Sequence, residues 1–301
     1  MAAKNIMGKI KASDAVFTYL RSIGVDHVFG VPGGGCMHLY NSAFTTPGLS
    51  LVPAFHEQAA GLAAQSYSEL IGGLAVCLVT AGPGMTNVVT ALAAAWIESS
   101  AVLFIGGQAK TADAANQFGV RSLGQQEVDG EAIARPLVKL SLRLKNGEDL
   151  IRALPLAVHT ALSGRRGPVF LEIPLDVQAA LISGPIPAVD FLSTTSEPRD
   201  IDVDDLLRAL QKSKKPAMLI GGGVRASGSH EIVRRFCERH GIAMLLTWKA
   251  LQLLPEDHPQ NFGRPGGICQ PYANDVLQSC DLFISLGARN DLVSVDRKSV
   301  V

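Results

Sequence analysis

Glu57 stands where a short apolar run gives way to a helical pattern, in the string Phe55-His56-Glu57-Gln58. A second apolar run ends in Thr80-Ala81-Gly82-Pro83-Gly84 and continues as Met85-Thr86-Asn87. One reading of Glu57 is a helix cap, because the helix dipole favours negative charge at its start. The other is a functional acid, because two strand ends and two helix starts meet at one edge of a sheet, and open α/β sheets bind ligands there. Pro32-Gly33-Gly34-Gly35 follows another short apolar run, and glycines after a strand let a ligand approach the backbone closely. Cys36, His38 and His56 raise the idea of a thiol nucleophile with a histidine base, or of a metal site. Cys-x-His is not a recognised ligand pair, and no acidic orienter stands nearby in sequence, so a packed cysteine and histidines at the solvent edge are expected instead.

The elements that must position these residues read as alternating strands and helices. Residues 13–23 form an amphipathic helix, with Gly24 as its stop. Short buried strands are expected at 28–31, 51–55, 74–80, 101–106 and 168–173, and helices from 58, over 86–96 with Thr86 or its neighbour near the cap, and over 149–162. Residues 70–97 carry no charged side chain, which is long enough for a membrane span. Gly82-Pro83-Gly84 interrupts the run, and the freed backbone groups would be unpaired in lipid, so no span is expected. Residues 109–124 are small and polar and read as a loop over the site. Residues 183–200 hold three prolines with several Ser and Thr and read as a linker. Beyond it a second βαβ pattern runs through a helix at 203–210, a strand at 216–220 ending in Gly221-Gly222-Gly223, a helix at 231–240 and a strand at 243–246. Those glycines lack the G-x-G-x-x-G spacing of a dinucleotide loop.

Four blocks together carry a family resemblance: Gly24 through Gly34 with Phe29-Gly30-Val31-Pro32-Gly33-Gly34, then His56-Glu57-Gln58, then Thr80-Ala81-Gly82-Pro83-Gly84-Met85-Thr86-Asn87, then Gly164-Arg165-Arg166-Gly167-Pro168-Val169. In this order and at these spacings the chain resembles the thiamine-diphosphate-dependent enzymes of the acetolactate synthase type, most strongly over residues 9–177. The resemblance implies that Glu57 hydrogen-bonds a ring nitrogen of the cofactor's aminopyrimidine and favours the tautomer that removes the thiazolium C2 proton. An apolar surround would let the carboxyl share a proton with that nitrogen. It also implies that Pro32, Gly33, Thr80, Pro83, Gly84 and Asn87 line the cofactor, and that Gln126 faces the substrate. Gln125 stands where the family carries an aromatic residue. Read without the resemblance, Gln125-Gln126-Glu127 is equally a solvated helix start.

Three further expectations follow. The fold class is α/β, with two doubly wound parallel-sheet domains: residues 1–182 bind the aminopyrimidine, 183–200 link, and 201–301 form a central Rossmann-like domain that is incomplete. The family's central domain binds FAD in some members. Gly287-Ala288-Arg289-Asn290-Asp291 resembles that domain, but Leu292 replaces a further charged residue, so FAD is not favoured. The family's Mg²⁺ and diphosphate are held by Gly-Asp-Gly in a third domain. This sequence has no Gly-Asp-Gly, the nearest string being Val128-Asp129-Gly130, so no metal ligand is assigned here. The expected protein is thus a truncated or split 2-keto acid decarboxylase or carboligase, acting on a substrate such as pyruvate. It would work as a dimer or tetramer, or with a partner chain that supplies the Mg²⁺–diphosphate domain. An inactive remnant is the alternative.

Composition bounds the rest. With 47% hydrophobic and 18% charged residues, sizeable cores are available to about two domains. A formal net charge of zero points to no nucleic acid and no membrane surface as partner. Five scattered cysteines without CxxC spacing fit a reducing cytoplasm, and no apolar run follows Lys4, Lys9 and Lys11 to make a signal peptide.

Overall fold

The computed structural model describes residues 9–187 and 203–290, which form two compact units. In the first unit the order is β1 (Ile10–Lys11), α1 (Ala12–Ser22), β2 (His27–Gly30), α2 (Met37–Thr45), β3 (Ser50–Pro53), α3 (Glu57–Ile71), β4 (Ala75–Val79), α4 (Pro83–Asn87), α5 (Val89–Glu98), β5 (Val102–Gln108), α6 (Gly130–Ala134), β6 (Ser141–Arg143), α7 (Asp149–Leu162), β7 (Val169–Pro174), α8 (Leu175–Ala179) and β8 (Leu181–Ile182). Six strands pair in the order β3-β2-β4-β5-β7-β6, all parallel, while β1 and β8 pair antiparallel in a separate ribbon.

The apolar runs are continuous because both sheet faces are covered. Along β4, Val76 and Leu78 join one core with Leu20 of α1, Leu39 of α2 and Leu154 of α7. Ala75, Cys77 and Val79 join the other core with Ala64 of α3 and Leu92 of α5. The strand period of two thus feeds two separate helix layers, and the sheet is doubly wound. From β2 the chain crosses to α2 on one face and to β3 on one side. From β4 it crosses to α4 and α5 on the opposite face and to β5 on the other side. The topological switch point therefore lies between the carboxyl ends of β2 and β4, where such sheets bind ligands.

Most expected elements are present within one or two residues of their predicted bounds. The helix after Gly82-Pro83-Gly84 differs. It starts at Pro83, with Gly82 in the N-cap position, and Thr86 does not cap it. Proline suits the first helical position because its φ is preset and its missing N–H had no partner there. Residues 183–187 stay with this unit: Ser183 N–H donates to Glu148 Oε1 (2.8 Å), and Ile186 is buried in the α1/α7 core. Residues 188–200 of the expected linker lie outside the described residues.

The second unit comprises α9 (Val203–Lys212), β9 (Pro216–Ile220), α10 (Gly222–Ala226), α11 (His230–His240), β10 (Ala243–Leu246), α12 (Pro271–Ser279) and β11 (Leu282–Leu286). Its parallel sheet runs β10-β9-β11. Among the described residues, no helix is long and apolar enough to cross a membrane.

Helices α3 and α5 approach each other through small residues. A Cβ on Gly61 would lie 2.5 Å from the Ala91 Cβ. Alanine gains about 1 kcal/mol over glycine in helix propensity, whereas overpacking a core costs about 1–3 kcal/mol. Gly61→Ala is therefore expected to lower stability by about 1–2 kcal/mol, read from urea unfolding midpoints; a rise in midpoint would contradict this packing.

Candidate active site

Glu57 is the first residue of α3. His56 occupies the N-cap position, and its Nδ1 accepts a hydrogen bond from the Gln58 N–H (3.1 Å), which satisfies one of the helix's free donors. The half-buried Glu57 carboxylate reaches the end of α4, where its Oε2 accepts from Asn87 Nδ2 (2.9 Å). Its Oε1 looks toward Gly84, where an added Cβ would stand 3.5 Å away. Among the described residues nothing else hydrogen-bonds this carboxylate, so one oxygen is anchored and the other is free for a ligand.

The glycine loop after β2 packs against the end of β4. The Gly35 N–H donates to Thr80 Oγ1 (2.9 Å), and a Cβ on Gly33 would lie 2.5 Å from the Thr80 Cβ. From the other side the Gly35 carbonyl accepts from Gln178 Nε2 (2.8 Å), and a Cβ on Gly107 would collide with it at 2.1 Å. Pro32 is exposed at the start of this loop and Pro83 at the start of α4, while Gly84 is buried. The Cys36 thiol is fully buried and donates to the Gly33 carbonyl (3.4 Å); burial pushes it up to about 11, so it is a neutral thiol and not a nucleophile at pH 7. Burial, then Lys11, lowers the pKa of His38. No three His, Cys, Asp or Glu side chains gather as a metal site among the described residues.

Gln126 does not start a helix. It lies in a turn with φ 57°, exposed, and α6 begins later with Asp129 as cap, whose Oδ1 accepts from the Ala132 N–H (3.1 Å). The Gln126 backbone rests on Gly82: a Cβ on Gly82, itself at φ 58°, would lie 2.4 Å from the Gln126 carbonyl oxygen. No hydrogen bond among the described residues links Gln126 to Glu57. The adjoining Glu127 organises the loop. Burial pushes its carboxyl up, but the N–H groups of Ala115 (2.8 Å), Leu123 (3.0 Å) and Gly124 (3.0 Å) outweigh that and hold it below the usual carboxylate range.

Sequence reasoning missed a buried charge behind this turn. Glu172 on β7 is 1% exposed; its Oε1 accepts from Gln108 Nε2 (3.0 Å) and its Oε2 from Arg143 Nε. The signal was legible as a lone acid inside Val169-Phe170-Leu171-Glu172-Ile173-Pro174. Burial pushes its carboxyl up to about 7, against the pull of the Arg143 guanidinium.

The match to known proteins agrees with this geometry. Residues 10–133 match the thiamine pyrophosphate enzyme N-terminal TPP-binding domain, and residues 203–299 match the thiamine pyrophosphate enzyme central domain. The chain is 34% identical over 289 residues to an acetolactate synthase large subunit of Corynebacterium glutamicum, covering 94% of this chain and 45% of that protein. It is 33% identical over 285 residues to the acetolactate synthase large subunit of Lactococcus lactis, covering 93% and 48%. A probable acetolactate synthase large subunit of Methanocaldococcus jannaschii is 32% identical over 296 residues, covering 95% and 49%. The chain belongs to the thiamine pyrophosphate enzyme family. It spans about half the length of the curated relatives it matches.

Membership of this enzyme family implies thiamine diphosphate. The donor set at the switch point fits its aminopyrimidine half: a carboxylate with one open oxygen, glycine backbone and a threonine. In the second unit, the glycines after β9 are used differently from a phosphate-binding loop. Gly221 N–H donates to the Leu286 carbonyl (2.9 Å) and Gly223 N–H to the Gly287 carbonyl (2.9 Å), while Val224 N–H donates to Gly221 (3.1 Å). A Cβ on Gly221 would lie 2.2 Å from the Gly287 oxygen. These glycines let β9 and β11 close on each other, and the amides of Gly221, Gly223 and Val224 are already engaged.

Glu172 has a pH signature. Its folded pKa lies above the ordinary 4.5, so between about pH 4.5 and 7 the folded chain binds the extra proton. Its stabilising contribution is therefore present below pH 4.5 and is lost as pH rises to 7. The stability of wild type minus that of Glu172→Gln should fall by about 3 kcal/mol across that window and be flat above it, in urea titrations at stepped pH. Wild-type stability that rises with pH relative to the variant would contradict the assignment.

Proposed function

We propose that the first unit binds the aminopyrimidine half of thiamine diphosphate, with Glu57 hydrogen-bonding a ring nitrogen. The chain would then be part of an acetolactate synthase-like 2-keto acid decarboxylase or carboligase acting on a substrate such as pyruvate. The observation that carries this reading is the Glu57 carboxylate at the switch point, anchored at Oε2 by Asn87 and open at Oε1. Thiamine diphosphate supplies the carbanion chemistry that protein side chains lack. The chain's own residues bind and orient. Glu57 holds a proton against the ring nitrogen, and Asn87 keeps the carboxylate aimed. Gly33 and Gly84 keep side chains from filling the space before it, Pro32 and Pro83 form the rim, and Thr80 ties the glycine loop to β4. Gln126 faces the substrate from the rim.

The diphosphate and Mg²⁺ require oxygen ligands, and no group of three His, Cys, Asp or Glu side chains gathers among the described residues. We infer that they are held by a further domain, in a longer chain or in a partner subunit of a cytoplasmic dimer or tetramer. The second reading, an inactive remnant or a split-enzyme subunit, rests on the same observation. FAD is not favoured in the second unit, because its glycine amides are engaged by backbone carbonyls.

The test is calorimetric titration of the chain with thiamine diphosphate and Mg²⁺, with and without Glu57→Gln, and near-ultraviolet circular dichroism of the bound aminopyrimidine. A hydrogen bond to a charged group contributes about 1.5–3 kcal/mol, so the variant should bind about 10- to 100-fold more weakly, with an unchanged unfolding midpoint. Equal affinity in the two proteins would sink the assignment of Glu57.

A further inference from the structure

Glu172 touches no residue assigned to the cofactor, yet every group it organises converges on one segment. Gln108 donates from one Nε2 both to Glu172 Oε1 (3.0 Å) and to the Val128 carbonyl (2.8 Å), while its own Oε1 accepts from the Ala109 N–H (2.9 Å). Arg143 donates from Nε to Glu172 and from Nη2 to Asp129 Oδ1 (2.9 Å). Gly130 lies against the carboxylate itself: a Cβ there would stand 2.4 Å from Glu172 Oε1 and 3.0 Å from the Met85 Cγ of α4. Val128, Asp129 and Gly130 are thus held from three strands, β5, β6 and β7.

That segment continues the turn of Gln126, whose backbone rests on Gly82. Gly82 is the N-cap position of α4, and α4 ends in Asn87, the partner of Glu57. The path from buried charge to candidate site is therefore contiguous: hydrogen bonds to Val128 and Asp129, the chain back to Gln126, a backbone contact at Gly82 too close for a Cβ, and the length of α4 to Asn87.

Stability alone does not account for this arrangement. A charge buried inside an apolar strand is costly, and well-packed apolar residues in place of a buried ion pair are often as stable or more so. What the ion pair and its amide provide, and apolar side chains could not, is directional attachment of Val128 and Asp129.

We propose that Glu172 is a positioning residue for the candidate site: through Gln108 and Arg143 it holds residues 126–130 against Gly82 and so fixes the start of the helix that carries Asn87. The inference rests on the reading of this sheet edge as the aminopyrimidine site. Contiguity makes coupling physically available, and measurement must show it.

The experiment is hydrogen-exchange mass spectrometry on the full chain for wild type, Glu172→Gln and Gln108→Leu, with thiamine diphosphate and Mg²⁺ titrated into each. Gln108→Leu cuts the link to Val128 while leaving Arg143 paired, and it serves if Glu172→Gln does not fold. In each folded variant, exchange over residues 124–132 and 80–87 should rise at least tenfold, while β4, β5 and β7 keep their protection. Affinity for thiamine diphosphate should fall at least fivefold. Unchanged exchange in those two segments, or a uniform rise across the first unit, would overturn the proposal. So would local loosening with unaltered affinity, because the segment would then be structural only. A wild type that binds no thiamine diphosphate would count against aminopyrimidine binding by the first unit without the further domain, and local against uniform exchange would still decide whether Glu172 fixes this segment.

Discussion

The hydrogen bond from Asn87 to Glu57 joins the ends of two helices that leave the sheet from different strands. It forms only if both helices begin at the right residue. For α3 the start is fixed by the end of β3 and by the His56 cap. For α4 it is fixed by Gly82, whose φ of 58° and ψ of −118° suit only a residue without a side chain, and by Pro83 at the first helical position. The rest of the edge is built around that bond. Gly33, Gly35 and Gly107 let three chain segments meet without side chains between them, and Thr80 and Gln178 hold the glycine loop from opposite sides. Side chains are absent where backbones must touch, and present where a direction must be set.

Electrostatics decide what such a site can hold. The ionisable groups that sense the Glu57 charge include the thiols of Cys36 and Cys77, and burial pushes both upward, which keeps them neutral. No hydrogen bond or ion pair among the described residues brings a cation to Glu57. A lone carboxylate of this kind suits a nitrogen heterocycle that can share a proton, and it repels a phosphate. The aminopyrimidine and the diphosphate of one cofactor therefore call for opposite environments, and the edge at Glu57 suits the former. A formal net charge of zero adds no long-range attraction for anions.

The fold was largely legible because its signals are local. Continuous apolar runs of five to seven residues could only be strands covered on both faces, and the prediction of 149–162 coincides with α7. Glu57 at the first position of α3 was legible because an acid sits where strand pattern changes to helix pattern. The partners of residues that act through long-range contacts were not. Gln178 reaches Gly35 across 143 positions, and Glu172 reaches Gln108 across 64, so no sequence window contains either pair. Gln126 was ambiguous for a related reason. Its turn is stabilised by the backbone of Gly82 and by amides gathered on Glu127, and none of this is encoded in Gln125-Gln126-Glu127 itself. The start of α4 departs from the expectation for a local reason: Pro83 interrupts an apolar run in the sequence but takes the first helical position in the fold.

The central claim is that the open Glu57 oxygen shares a proton with a pyrimidine ring nitrogen. It is tested most directly by ¹⁵N NMR of thiamine diphosphate labelled in its aminopyrimidine ring and mixed with Mg²⁺ and the chain. The account predicts that one ring-nitrogen resonance moves on binding and returns toward its free position in Glu57→Ala. A bound cofactor whose ring-nitrogen resonances are the same in wild type and variant would contradict it.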